Sequence, residues 1–468
     1  MITHSFRGVA LASLLIATPA LAQGPSRSDY HQLGHALLRE LIETNTTASA
    51  GNTTVAAEQL QVRFKDAGFA PEDDQVVGPT PKNRNLVVRY RGTGAHKPVL
   101  LLAHLDVVEA KRDDWTYDPF VLTEKDGYFY GRGTQDVKGG AAMLVTALLR
   151  MKQEKFVPDR DLILALTAGE EGGMPYNGVQ WLIANKKPLI DAEYVINVDA
   201  GGGELENGKH TLFDVQAAEK VYHSVSLTAR NPGGHSSLPR KDNAIYELAA
   251  ALRRVGAYEF PAKPNDVVKK YFTQAASTVA PQVAADMRAV GAGTATPAAI
   301  ARLSATPLYN ALMRTTCVAT MLSGGHAPNA LPQTATATVN CRMLPGDDPA
   351  AVEQALVRAI GDTGVHLAPI DTARPSPASP LRPDVFSAVE TSVKAVWGNV
   401  PIVPIMETGA TDGLFLRNAG VPVYAFSGLF IATNDVRAHG KDERILVSAF
   451  DDGLDFTYDF LKRITGVR

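Results

Sequence analysis

Cysteine is nearly absent: Cys317 and Cys341 are the only two in 468 residues. That excludes a small scaffold held by several disulfides. The two thiols fit either one bridge in an oxidising compartment or a pair of buried side chains. No His or Asp pattern beside them marks a nucleophile. A surplus of either charge is missing too. Lys plus Arg number 46 and Asp plus Glu 49, for a net charge of -3. Nucleic acid is thereby excluded as the main partner, since that role needs a strong basic excess. Past the N-terminus no stretch offers the roughly 20 consecutive apolar residues of a spanning helix, so no membrane anchor is expected there. The 39 glycines and 29 prolines follow no period, which excludes a collagen-like rod and long disordered tracts. What the chain does have is 45% hydrophobic residues. That is enough for a sizeable core, in a length suited to about two or three domains.

Residues 1–22 read MITHSFRGVALASLLIATPALA. Arg7 supplies a short basic start, and residues 9–17 form an apolar run too short to span a bilayer comfortably. Ala20, Leu21 and Ala22 make a small-x-small cleavage signal. The pattern predicts a secretory signal peptide and a mature start at Gln23. The expected location is outside the cytoplasm, in the periplasm for a Gram-negative source. A buried N-terminal helix is the alternative reading.

Periodicity then predicts alternating elements. Tyr30, Leu33, Leu37, Leu38 and Leu41 recur near 3.6 residues, predicting a helix over 28–48, with a second at 56–69. Strands are expected at 86–90, 99–106, 161–168 and 194–198, with helices at 139–154 and 178–185. The runs VLLLAHLD and DLILALTA are almost continuously apolar, as strands buried on both faces of a parallel sheet are. This alternation is an α/β signature. Near residue 218 the pattern changes. Residues 221–227 and 334–343 alternate like half-exposed antiparallel strands, 243–255 and 348–359 read as helices, and 261–320 as an Ala-rich, largely helical insertion. A last strand and a Pro/Ser-rich linker share 366–380. Strands at 401–406 and 422–426 and a helix at 446–463 restore α/β character. The expected organisation is a signal peptide (1–22), a larger α/β domain with a mostly parallel sheet in two pieces (23–217 and 373–468), and a smaller inserted α+β domain (218–372).

In such sheets ligands sit beyond the carboxyl ends of the strands, and polar residues collect there. His104 and Asp106 end the strand at 99–106, Glu170 and Glu171 follow that at 161–168, and Asp199 follows that at 194–198. Asp136 lies in the loop GRGTQDVKGG and His439 in the late loop AHGKDERI. Each alone has an ordinary reading: a surface His–Asp pair, a solvated Glu–Glu pair, a helix-capping or turn Asp. Five such placements together point to metal. Zn2+ takes imidazole and carboxylate ligands and keeps a position open for chemistry. Two ions about 3.5–4 Å apart need a bridging carboxylate with terminal ligands on either side. His104, Asp136, Glu171, Asp199 and His439 meet that need, and Glu170 is left over as a base. Asp106, on the same side of the strand as His104, is placed to accept its other ring proton. Co2+ or Mn2+ suits the same donors. GRGTQDVKGG lacks the Gly-Lys-Ser/Thr ending of a phosphate loop.

The motifs AHLDVV (103–108), GRGTQDVKGG (131–140), TAGEEGG (167–173), VDAGG (198–202), GGHSSLP (233–239), GGHAPNALPQTATATVNCRMLPG (324–346) and AHGKDERI (438–445) carry a resemblance to the M20-type zinc peptidases. It spans essentially the whole mature chain. The middle insertion and the segment from NALPQ to CR are most similar to the carboxypeptidase S and N-fatty-acyl-amino-acid hydrolase branch. The resemblance implies a zinc-peptidase catalytic domain with an inserted lid or dimerisation domain, and two Zn2+ per subunit. His104 and Asp199 would hold one ion and Glu171 and His439 the other, with Asp136 bridging and followed by a cis peptide bond. Glu170 resembles the general base. His235 resembles a catalytic residue from the smaller domain, often the partner subunit's, that holds substrate or oxyanion. Asn329, Arg342 and the loop of Gly409, Ala410, Thr411 and Asp412 resemble substrate-binding residues. Arg342, with Arg240 as a second candidate, suits a carboxylate because a guanidinium binds it with two parallel hydrogen bonds. The implied activity is a carboxypeptidase or dipeptidase acting on short peptides. An N-acyl-amino-acid amidohydrolase is the alternative, and an aminopeptidase a further one. Asp rather than Glu at position 199 is frequent in the family's aminopeptidases and acylases. A homodimer through the smaller domain is also implied, unless the 261–320 insertion covers that surface.

Overall fold

The computed structural model describes Met1 and residues 25–466. The signal-peptide reading therefore lies outside the described residues, apart from Met1. The helix Arg27–Glu43 starts where Ser26 and Asp29 cap each other's backbone, and it buries Tyr30, Leu37, Leu38, Leu41 and Ile42.

Seven strands of the large sheet come first: β1 (Asp74–Val77), β2 (Asn85–Tyr90), β3 (Val99–His104), β4 (Leu162–Thr167), β5 (Tyr194–Asn197), β6 (Gly202–Glu206) and β7 (Lys209–Glu219). The chain then leaves to build a second sheet from β8 (Val221–Arg230), β9 (Thr316–Gly324), β10 (Thr334–Met343) and β11 (Val365–Pro369). It returns as β12 (Ile402–Glu407), β13 (Val423–Ala425) and β14 (Phe430–Ala432). The large sheet has the order β1-β2-β4-β3-β5-β13-β7-β6-β14, with β12 also on β7. Its centre, β4-β3-β5-β13, is parallel. β1 and β2 run antiparallel at one edge, and β6 and β7 form an antiparallel pair towards the other. All of β3 and β4 is buried. In β3 the side chains of Val99, Leu101 and Ala103 enter one core and those of Leu100 and Leu102 the other, the two-residue period of a strand covered on both faces.

The smaller sheet, β9-β10-β8-β11, is antiparallel. One face packs Val225, Leu227 and Val339 against Leu248 and Leu356 of the helices Ala244–Ala257 and Pro349–Ile360. On the other face Thr336, Thr338, Asn340 and Arg342 are half-buried. Cys317 and Cys341 stand opposite each other on β9 and β10 and are joined in a disulfide.

Several stretches differ from expectation, and the helix read over 28–48 ends at Glu43. Residues 316–320, read as part of a helical insertion, begin strand β9. Gly202–Glu206 and Lys209–Glu219, unassigned in the sequence, pair as strands. Their Gly-rich start reads as loop, and only pairing with β7 and β14 makes it sheet. The helices Asp266–Ala275, Pro281–Gly291, Pro297–Ser304 and Pro307–Met313 lie in the chain between β8 and β9, two strands of the smaller sheet. Yet Val267, Phe272, Met287, Val290 and Leu312 join the larger core.

Asp74, at the start of β1, is buried, and neither carboxylate oxygen has a hydrogen-bond partner among the described residues. Burial pushes its carboxyl up from the usual 3.8 to about 6. The folded state keeps a proton that the unfolded chain has lost. This contribution to stability is therefore present below about pH 4 and lost as pH rises through about 6. Asp74→Asn is expected to stabilise the protein by about 2–3 kcal/mol at pH 8 and hardly at all at pH 4. Melting curves at both pH values check this, and identical curves at pH 8 would contradict it.

Candidate metal centre and active site

His104 is the last residue of β3. Its Nδ1–H donates to the backbone carbonyl of Asp106 at 2.8 Å, which leaves Nε2 with a free lone pair. Nε2 lies 3.1 Å from Asp136 Oδ1 and 3.3 Å from Asp199 Oδ1. The other oxygen of Asp136 lies 3.1 Å from His439 Nε2, which is itself 2.9 Å from Glu171 Oε2. Two clusters result, His104–Asp136–Asp199 and Asp136–Glu171–His439, each with its ligand atoms within 4.8 Å of one another. Asp136 belongs to both and turns one oxygen to each histidine, as a bridging carboxylate must. The peptide bond after it is cis.

Asp106 corrects an expectation. Its Oδ1 is 3.9 Å from His104 Nδ1, because β3 stops at His104 and the alternation that would set the two side chains together stops with it. The carboxylate instead accepts from the backbone N–H groups of Gly169 (2.7 Å), Glu170 (3.4 Å) and Glu171 (3.1 Å). It holds the loop that carries the base candidate and one ligand.

Glu443 went unrecognised in the sequence. Fully buried, it accepts from Arg132 (2.6 Å) and from the N–H groups of Gly133 (3.0 Å), Gln135 (2.7 Å) and Asp136 (3.1 Å). It thereby fixes the bridging residue's backbone. The signal lay in AHGKDERI, where only the histidine drew notice. Asp412, also buried, bonds to Asn177 and lies 3.5 Å from the Thr167 hydroxyl.

Electrostatics favour cations here. Burial, then the charge of Asp199, pushes Glu170 up to about 10. Burial, then Asp136, pushes Glu171 up to about 7, and burial pushes Asp199 up to about 6. The hydrogen bond to Asp136 lifts His439 to about 9. Burial opposes charge on His104, but Asp199 and Asp136 beside it hold its pKa well above the ordinary value. Crowded carboxylates at a half-closed sheet edge are stabilised when bound cations neutralise them. The mixed N/O donors and three ligands per cluster fit zinc with a position left open.

The remaining predicted residues lie in two places. His235 is exposed on a short ribbon where residues 234–235 pair with 330–331. Its Nδ1 accepts from the Ser237 hydroxyl (2.7 Å) and N–H (3.2 Å). Asn329 adjoins it, its carbonyl accepting from Ser236 at 3.1 Å. Neither bonds to the metal clusters among the described residues. Arg342 stacks 4.8 Å from the Tyr222 ring and donates to Asn340 at 3.3 Å. Arg240 is committed to Asp242. Gly409 N–H donates to Glu407 (3.3 Å), and both the hydroxyl (3.0 Å) and N–H (3.1 Å) of Thr411 donate to Glu219.

The family model for Peptidase family M20/M25/M40 matches residues 100–463. The chain belongs to this family. It is a metal-dependent amide-bond hydrolase acting on peptides or acyl-amino acids, related to the carboxypeptidase S and PM20D1-like branch. The human N-fatty-acyl-amino acid synthase/hydrolase PM20D1 is 29% identical over 381 residues, 78% of this chain and 74% of its own. The probable carboxypeptidase S-like 2 of Dictyostelium discoideum is 26% identical over 400 residues, 81% and 74%. The M20 family metallo-carboxypeptidase Sso-CP2 from Sulfolobus solfataricus shares the fold. Its TM-score is 0.66 at 17% identity, over 93% of this chain and 99% of that one.

Elemental analysis after zinc loading should find about two ions per chain in the wild type and in Glu170→Gln. Turnover in that variant should fall about 10²–10⁴-fold. Glu443→Gln should weaken metal affinity about 10–100-fold, as loss of a group that orients a ligand does. An active Glu170→Gln enzyme would remove Glu170 as the base.

Proposed function

We propose that this protein hydrolyses N-acyl amino acids to a carboxylic acid and a free amino acid. The carrying observation is its likeness to an N-fatty-acyl-amino acid hydrolase, which exceeds that to the carboxypeptidase S-like protein, 29% against 26% identity. This reverses the order of preference read from the sequence, where peptide cleavage came first. The smaller sheet supports the reading. Among the described residues Arg342 has no carboxylate partner, so its guanidinium is free to take the substrate's carboxylate. Bound zinc supplies Lewis-acid polarisation of the scissile carbonyl and acidifies water. Glu170 takes the proton from the attacking water and delivers it to the leaving nitrogen. His235, brought in by the smaller unit of the same or a partner subunit, holds the developing oxyanion.

Two further readings accompany this one. A homodimer through β9 is supported by its position at the sheet edge and by exposed Val318, Met321 and Leu322. The helical insertion packs on the larger core. Export is supported by the pattern of residues 1–22 and by the Cys317–Cys341 disulfide.

The test is a panel of N-acetyl and N-fatty-acyl amino acids, free dipeptides and C-terminally amidated dipeptides, with and without chelator. Chelator-sensitive release of the amino acid from the acylated substrates is expected. Arg342→Lys should raise their KM about tenfold or more. Faster cleavage of free dipeptides would favour a dipeptidase, and cleavage of amidated dipeptides alone an aminopeptidase.

A further inference from the structure

The first crossing between the two units is one residue long. Glu219 ends β7, Val221 begins β8, and Lys220 lies between. Glu219 and Lys220 are 2% and 1% exposed, and they grip different parts of the chain. Lys220 Nζ donates to the carbonyls of Ala311 (2.9 Å) and Arg314 (2.8 Å) and to the Thr316 hydroxyl (3.2 Å). Those groups lie where the chain passes from the helix Pro307–Met313 into β9, which is another crossing. Glu219 Oε1 lies 2.6 Å from Arg417. Its Oε2 accepts from Thr411 N–H (3.1 Å), the Thr411 hydroxyl (3.0 Å) and Gln216 (3.2 Å).

The Glu219 side leads to the 407–412 loop. Glu407, paired with Glu219 across β12 and β7, accepts from the N–H groups of Thr408 (2.7 Å) and Gly409 (3.3 Å). The Thr411 hydroxyl accepts from Gly413 N–H at 3.1 Å. Buried Asp412 follows, and its charge bears on Glu170. Ala410 is thus an exposed tip between two anchored ends. A cavity of about 150 Å³, lined by Lys220, Tyr222, Arg374, Ala410 and Leu414, connects hinge and tip. Buried ion pairs are weak sources of stability, so stability alone does not account for Glu219 and Arg417 at a hinge.

We propose that Glu219 is a positioning residue for the reaction. Acting through Thr411, it makes the placement of the 409–412 loop and the swing of the smaller unit about Lys220 a single motion. It touches no substrate itself. The inference rests on the reading that the 409–411 loop faces substrate, and the test separates the two.

Full-length, zinc-loaded Thr411→Val, Thr411→Ser and Ala410→Trp variants would be assayed on the N-acyl amino acid that the wild type turns over fastest. Amide hydrogen exchange would be followed in parallel. Thr411→Val is expected to raise KM about tenfold with kcat within about threefold. It should also speed exchange across 408–413 about tenfold, with zinc content unchanged. Thr411→Ser, which keeps the hydroxyl, should restore both. Exchange needs no substrate, so it decides the point even if the panel yields no turnover. A Thr411→Val protein that melts earlier but keeps wild-type KM and exchange would overturn the proposal. An Ala410→Trp protein with unchanged KM would overturn the reading of the loop instead.

Discussion

Asp136 turns one carboxylate oxygen towards His104 and the other towards His439, 3.1 Å from each. A carboxylate serves two cations only if both of its sides are held. Here that requirement falls on two loops some 300 residues apart in the chain. Glu443 accepts from the backbone around Asp136, and Arg132 donates to the carbonyls of His439 (3.4 Å) and Gly440 (2.9 Å). Gln135 donates to the carbonyls of Asp435 and Arg444 and accepts from the N–H groups of Arg437 and Ala438. The bridging ligand and the terminal ligand thus sit on one laced surface. The spacing of the two candidate metal clusters is thereby set by backbone hydrogen bonds as well as by side chains.

The parallel centre of the sheet supplies the other half of the site. β3, β4 and β5 end side by side, so His104, Glu170 with Glu171, and Asp199 arrive at one edge without any long loop. Asp106 then binds the three N–H groups after β4. The carboxylate thus secures the loop next to His104, while the Asp106 carbonyl sets the ring's tautomer. One residue thereby fixes two elements of the centre.

The smaller unit is joined to this platform by chain that is short and charged at its first crossing. The helices between residues 266 and 313 stay with the larger core, so the smaller sheet is joined to the platform at several crossings instead of a single pair. Lys220 binds two of those crossings to each other. Buried hydrogen bonds thus tie the crossings together rather than leaving them as independent linkers.

The sequence by itself determined what is local or periodic. Continuous apolar runs marked β3 and β4 as doubly buried, alternation marked β8 and β10, and carboxylates and histidines at strand ends and in two loops marked the residues of the two candidate metal clusters. Each of these follows from a residue's place on its own element. The tertiary structure alone decided what depends on a distant partner. Asp106 changed its partner because β3 ended two residues early, and Glu443 became a buried acceptor because a remote loop turned its N–H groups inward. Cys317 and Cys341 joined because β9 and β10 set them opposite each other. The Gly-rich segment after Asp199 became strand because β7 and β14 lay ready to pair with it. Hydrogen-bond and disulfide partners are chosen by position in space, which chain order does not specify.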